Sequence, residues 1–148
     1  MDETAGTQLA DSIYAKVTEF SDLGNSYMEE GSYEKAIECF SRSLSLLPEP
    51  KNRWEAAMWL NASIGDALFL QGHFKDALGT LLDALNCPDA VTNPFIQLRL
   101  GECFYELENF ARAKDHLLRA YMLEGADIFQ SELPKFFDCI KQDVGAPE

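Results

Sequence analysis

With 148 residues, the chain has the length of one domain, enough for one sizeable core and too short for two. Twelve Lys and Arg against twenty-five Asp and Glu leave a net charge of −13, which repels phosphate backbones and anionic lipid and argues against nucleic acid or a membrane surface as partner. A hydrophobic content of 47% separates this acidity from that of a disordered chain, because it supplies enough apolar surface to offset the ordering entropy.

In chain order, Met1 to Gly6 are acidic and polar, unlike a secretory segment, and residues 1–7 read as a flexible tail. Leu9, Ile13, Tyr14 and Val17 follow a helical spacing, which predicts a first helix beginning near Gln8. An apolar residue followed by glycine then occurs three times, at Leu23-Gly24, Ile64-Gly65 and Leu100-Gly101. Three residues after each glycine stands a large apolar residue (Tyr27, Leu68, Phe104), and twelve after it an alanine (Ala36, Ala77, Ala113). Each alanine has an aromatic three residues before it (Tyr33, Phe74, Phe110) and a large apolar residue one helical turn after it (Phe40, Leu81, Leu117). Gly31 and Gly72 punctuate the first two units, and Glu108-Asn109 takes that place in the third. Each unit therefore reads as two helices joined by a short turn.

Between units, residues 48–52 and 88–93 carry the prolines of loops. Trp54 follows the first loop and is expected to pin the second unit's opening helix. Asn93-Pro94 is a helix-start signal, a capping side chain followed by proline in the first turn. Downstream, Ser131 is positioned to cap a last helix over 131–142 carrying Phe136, Phe137 and Ile140, a lid over the third unit. Residues 143–148 read as a second flexible tail.

These positions resemble the tetratricopeptide repeat, a helix-turn-helix unit of about 34 residues, over residues 17–50, 58–91 and 94–127. The three glycines lie 41 and 36 residues apart, so the loops account for insertions between units. One position departs from the pattern: the large residue four before each glycine is Phe20 in the first unit but Asn61 and Gln97 in the others. The resemblance implies an all-α fold, three repeats in a right-handed superhelical stack with an extended N-terminal helix and a C-terminal capping helix, forming one domain over 8–142. Small residues at the three glycines would let paired helices approach closely.

In the family that this chain resembles, the first helix of each pair lines a concave face. Over 17–31, 58–72 and 94–108 the net charge is −7, whereas the second helices, 32–48, 73–89 and 109–125, sum to −1. The groove positions implied by the resemblance include Thr18, Ser21, Ala62, Ser63 and Leu98. The contacts expected to carry binding are Asn25, Glu29, Trp59, Asp66, Phe69, Phe95, Arg99, Glu102, Tyr105 and Glu106. Carboxylates interleaved with rings suit a partner bearing Arg or Lys, the rings holding the stem and the acids selecting the charge. Phe69 and Phe95 are equally readable as packing between repeats, and the acid excess as a solvated face.

No phosphate-cradling glycine loop, nucleophile elbow or His-Glu-x-x-His is present, and His73 and His116 have no reason to meet near a cysteine. Cys39, Cys87, Cys103 and Cys139 lie far apart, support a zinc site poorly and read as small apolar fillers, reduced in a cytoplasmic protein. A binding module is expected, not an enzyme, with neither cofactor nor metal. The family's chaperone-binding clamp for an acidic tail falls on Ser21, Asn25, Ser63, Phe95 and Arg99, where both of its lysines are missing from an acidic groove, so that role is rejected. The stretches 62–67, 93–95, 98–101 and 118–125 are similar to a group of compact bacterial repeat proteins encoded beside secreted toxins. That likeness implies an immunity protein that occludes a basic toxin domain; the alternative is a general scaffold or secretion chaperone holding a basic or apolar peptide.

Overall fold

The computed structural model describes residues 9–145, which form seven α-helices and no strand among the described residues. They are α1 (Asp11–Glu29), α2 (Tyr33–Ser45), α3 (Glu55–Leu70), α4 (Phe74–Leu85), α5 (Pro94–Glu106), α6 (Phe110–Glu124) and the short α7 (Pro134–Asp138). Three antiparallel hairpins, α1/α2, α3/α4 and α5/α6, stack so that α2 packs on α3 and α4 on α5. This is the all-α superhelical stack of three repeats implied by the sequence.

The packing inside each hairpin is set by the small-large pairs in the sequence. A Cβ added at Gly24 would lie 2.6 Å from the Phe40 ring, and at Gly65 or Gly101 2.6 Å from Leu81 or Leu117 Cγ. Glycine is therefore what lets each large side chain press against the facing backbone, where Phe40, Leu81 and Leu117 are all 0% exposed. Ala36, Ala77 and Ala113, also fully buried, keep the second helices close in the same way.

All three intrahairpin turns share one hydrogen-bond pattern. Ser32, His73 and Asn109 donate their N–H to the carbonyls of Tyr27, Leu68 and Phe104 at 2.8, 2.9 and 2.9 Å, a bond that closes the helix C-terminus over a left-handed residue. That residue is Gly31 at φ 77° and Gly72 at φ 83°, but Glu108 at φ 64° in the third turn, where a side chain occupies a conformation that favours glycine.

Loops fix the registers between hairpins. Trp54 is buried and its Nε1–H donates to the Pro48 carbonyl at 2.9 Å, tying the start of α3 to the end of the first repeat as expected. Asn93 caps α5, its Oδ1 accepting from the Ile96 N–H at 3.1 Å, with Pro94 in the first turn. Gln97, a departure from the repeat pattern, is fully buried and replaces a large apolar residue with hydrogen bonds: Nε2–H donates to the Val91 carbonyl at 2.9 Å, and Oε1 lies 2.8 Å from His116 Nδ1. Three cysteines are buried and Cys139 is half-buried; all four are free thiols.

The two ends differ from expectation. The first helix begins at Asp11, after an Ala10 that offers no capping side chain, and Gln8 lies outside the described residues, as do the tail 1–7 and residues 146–148. In place of one helix over 131–142, the chain leaves α6 at Gly125, makes a 3-10 turn over Ala126–Phe129, and forms only the five-residue α7 before further turns. Pro134 is the reason. The residue before a proline is pushed out of the helical region, and Leu133 sits extended at φ −62°, ψ 138°, so a helix cannot run through from Ser131. Phe129, Phe136 and Ile140 are buried with Leu98, Leu117 and Ala120 in a second core, so the segment does act as a lid. Residues 143–144 are held as well, Lys114 pairing with Asp143 at 3.0 Å and Val144 packing on that core.

Candidate functional site

The expected groove contacts are divided into an open half and a filled half. At the N-terminal end, α1, α3 and Trp54 enclose an open cleft of about 530 Å³ lined by Asp11, Tyr14, Thr18, Trp54, Glu55 and Trp59, among others. Tyr14 is 63% and Trp59 38% exposed, a high value for rings of this size, and Asp11 and Glu55 are exposed. Among the described residues, no lysine or arginine lines this cleft. Rings beside unpaired carboxylates can accept a cationic side chain, the ring faces holding the charge and its stem. Asn25 and Glu29 are also exposed, farther along α1.

The C-terminal half contains the arrangement expected for a partner's arginine, occupied by the chain's own. Arg99 is buried at 8% exposure, with its guanidinium carbon 4.7 Å from the Phe69 ring centre and 5.1 Å from that of Phe95. Its Nε–H donates to Asp66 Oδ1 at 2.8 Å, and Nη1 reaches both Glu102 Oε1 and Glu132 Oε1 at 2.5 Å. Burial alone would lower the Arg99 pKa, but Glu102, Asp66 and Glu132 overcome it and hold the group charged. Glu102 is 0% exposed and its Oε2 has no hydrogen-bond partner. Desolvation first, then the neighbouring Glu132 carboxylate, push the Glu102 carboxyl up to about 8 against the opposing pull of Arg99.

Beside this cluster the C-terminal segment repeats the motif. Lys135 pairs with Glu106 and stands 5.3 Å over the Tyr105 ring, while Phe136 packs edge-on to Tyr105 at 5.4 Å and against Phe69 at 6.4 Å. An adjoining cleft of about 500 Å³ is walled by Phe69, Phe74, Glu106, Glu132, Leu133 and Phe136.

Several sequence expectations are thereby corrected. Asp66, Arg99 and Glu102 face one another inside the protein, and Phe69, Phe95, Tyr105 and Glu106 are covered in part by the residues they pair with. Glu102, fully buried, presents no carboxylate at the surface. Ser21 is not in the groove: its hydroxyl donates to the Val17 carbonyl at 2.6 Å and lies 3.3 Å from that of Ser43, at the α1/α2 interface. Ala62 and Leu98 are core residues. The residues not anticipated are Tyr14, Asp11 and Glu55 in the open cleft, and Glu132, Lys135 and Phe136 from the lid. Tyr14 was legible as part of a helical stripe; nothing in the spacing of the last segment signals that it folds back over α5.

Among the described residues no cluster of His, Cys, Asp and Glu could hold a metal, and no helix is long and apolar enough to cross a membrane. Sequence models of the tetratricopeptide repeat match residues 18–50 and 96–121. No curated protein matches the sequence. Among solved structures, the first repeat domain of Spaghetti (RPAP3), bound to the HSP90 peptide SRMEEVD, superposes with a TM-score of 0.70 at 20% identity over 89% of this chain and 95% of that one. The second such domain of human RPAP3, in complex with the HSP70 peptide SGPTIEEVD, gives 0.68 at 19% identity, covering 88% and 96%. The Yersinia enterocolitica type III secretion chaperone SycD, in complex with a peptide of the translocator YopD, gives 0.63 at 16% identity, covering 93% and 89%. With two matched segments, a third hairpin of the same geometry between them, and a stack shared with these domains, the chain has the fold of a tetratricopeptide-repeat domain.

Proposed function

We propose that this protein is a protein-binding module that takes a segment of its partner in the α1/α3 half of the concave face, with a lysine or arginine of that segment against Trp59 and Tyr14 and its charge facing Asp11 and Glu55. The observation that carries this reading is the open cleft itself, lined by rings and carboxylates and, among the described residues, by no base. The repeat domains of RPAP3 hold peptides ending in acidic residues; an acidic cleft calls for the opposite charge. A cleft of this size takes one or two side chains, which favours an extended segment and the scaffold or chaperone reading, in the manner of SycD with its translocator peptide. The four free thiols fit a reducing, cytoplasmic setting.

A finer reading, an immunity protein that occludes a basic toxin domain, rests on the resemblance of residues 62–67, 93–95, 98–101 and 118–125 and on the net charge. It requires a folded partner encoded nearby, and a neighbouring gene product that does not bind removes it.

The test of the coarser reading is calorimetric titration with short peptides that match in length and differ in charge. Basic, aromatic-containing peptides should bind in a salt-sensitive way, and Trp59→Ala should weaken them by about 2 kcal/mol, roughly thirtyfold. Equal binding of SRMEEVD, or full affinity in both Trp59→Ala and Glu55→Lys, would remove the cleft from the account.

A further inference from the structure

The buried cluster around Arg99 contains more acid than its single base can neutralise. Asp66 from α3, Glu102 from α5 and Glu132 from the lid all converge on one guanidinium. With all three ionised, the cluster would carry a net charge of −2 in a site where Glu102 has no exposure to water. The other groups facing Glu102 do not relieve this. Cys103, beside it on α5, is held neutral by burial, with its thiol pushed up to about 12. Glu106, one turn on, adds negative charge and is already paired with Lys135, the base that the lid brings to this face. Glu102 Oε2 is buried without a donor, and Glu102 and Glu132 are brought together by one shared nitrogen, Arg99 Nη1, which lies 2.5 Å from an oxygen of each. A proton on Oε2 resolves both difficulties, since it removes one charge and turns an orphaned acceptor into a donor.

We propose that Glu102 is protonated at neutral pH and donates a hydrogen bond to Glu132, and that this carboxyl–carboxylate couple is a proton-operated latch holding the lid, residues 126–145, over the α3/α5 half of the concave face. Glu132 is the member that moves. It comes from the segment between the 3-10 turn and α7, whereas Asp66, Arg99 and Glu102 sit on helices of the stack. Ionising Glu102 sets a second buried carboxylate against Glu132 with only Arg99 between them, and the repulsion falls on the ion pair by which the lid joins the cluster. Loosening it uncovers the Phe69 and Tyr105 rings beside Arg99, which stays paired with Asp66 and the ionised Glu102, and frees Glu106 from Lys135. The proposal is independent of what the α1/α3 cleft binds.

The sign follows from linkage. A carboxyl whose folded-state pKa is raised contributes stability that is complete below its unfolded value and is lost as the pH rises through the folded value, here the interval from about 4.5 to about 8. The lid should therefore be held at pH 6 and loosened at pH 9.

Two measurements test this on the full chain. The side-chain carboxyl resonance of Glu102 should titrate near pH 8. Amide exchange over residues 126–145, corrected for the intrinsic pH dependence, should lose about tenfold in protection between pH 6 and 9 while α3 and α4 do not change. In Glu102→Gln the amide N–H replaces the proton permanently, so the lid should keep its protection across the range. A Glu102 resonance that titrates in the ordinary carboxyl range would overturn the proposal, even where the variant fails to fold. Lid protection that is constant with pH in the wild type, or that falls equally in Glu102→Gln, would overturn it as well.

Discussion

Arg99→Met tests whether the buried ion cluster is structural. Methionine keeps much of the arginine volume between Phe69 and Phe95 and adapts to irregular space, so the substitution removes charge more than it opens a cavity. Asp66, Glu102 and Glu132 then lose their shared base. Removing one partner of a buried pair costs about 3–5 kcal/mol, largely because the remaining charge is left uncompensated. Against a total stability of about 5–15 kcal/mol this is a large fraction, and at about 2–4 °C per kcal/mol it corresponds to a fall in Tm of roughly 6–20 °C. Urea denaturation followed by circular dichroism at pH 7 measures it. The decisive comparison adds Asp66→Asn and Glu132→Gln to Arg99→Met. If unpaired charge is the cause, these neutral partners should restore most of the loss, because a buried ionic group replaced as a whole is close to neutral in stability. A loss below about 1 kcal/mol in the single variant would refute the reasoning, since that is the range of exposed ion pairs. So would a triple variant no more stable than the single one.

Glycine substitutions should divide by what a methyl group meets. Gly101→Ala places Cβ 2.6 Å from Leu117 Cγ and 3.0 Å from the Leu117 backbone nitrogen, and should destabilise by about 1–3 kcal/mol, whereas Gly79→Ala, on α4 with open space around it, should stabilise by about 0.5–1 kcal/mol; thermal melts of the two check the contrast. Glu108→Gly should raise stability by up to about 1 kcal/mol in the same assay, the left-handed cost at φ 64° being partly offset by the freer unfolded chain. His116 stacks on Phe104 at 5.4 Å and is held below its usual pKa, first by burial and then by Arg119. The stability it contributes is present above about pH 6.5 and lost as the pH falls, opposite in sign to that of Glu102, so titration of its ring resonance, with a midpoint below 6.5, is the measurement that isolates it.

The repeat frame was legible because it rests on contacts within one hairpin. Gly24 and Phe40, Gly65 and Leu81, Gly101 and Leu117 stand sixteen residues apart in sequence and touch in space, so one spacing rule encodes both the helix pair and its packing. Asn93-Pro94 and Trp54 were legible for the same reason, since each acts on the helix that follows it. The lid was not. Ser131 looked like a cap, but Pro134 outweighs it three residues later, and what holds the segment is a set of long-range partners: Arg99 for Glu132, Glu106 for Lys135, Phe69 and Tyr105 for Phe136. Ser21 shows the same limit on a smaller scale, because its face of α1 is decided by Ser43, which no local pattern indicates.

The charge count on the concave helices changes meaning once those partners are known. Of the eight acids on those helices, Asp66 and Glu102 are taken by Arg99, Glu106 by Lys135 and, at the surface, Glu19 by Lys16, which leaves Asp22, Glu29 and Glu30 on the α1 side and Glu108 at the far turn. Asp11 and Glu55 add to the α1 side. A partner's cation that enters the α3/α5 half must displace an arginine and a lysine that are tethered to the same chain and thus present at a high effective concentration, whereas the α1/α3 cleft presents carboxylates with no basic residue among the described residues of its lining. Acidity that is evenly spread in sequence therefore acts at one end in space. Substitutions that alter partner choice should fall on Asp11 and Glu55. Those at Asp66 and Glu102 should act on stability first, and on binding only as far as the fold is lost.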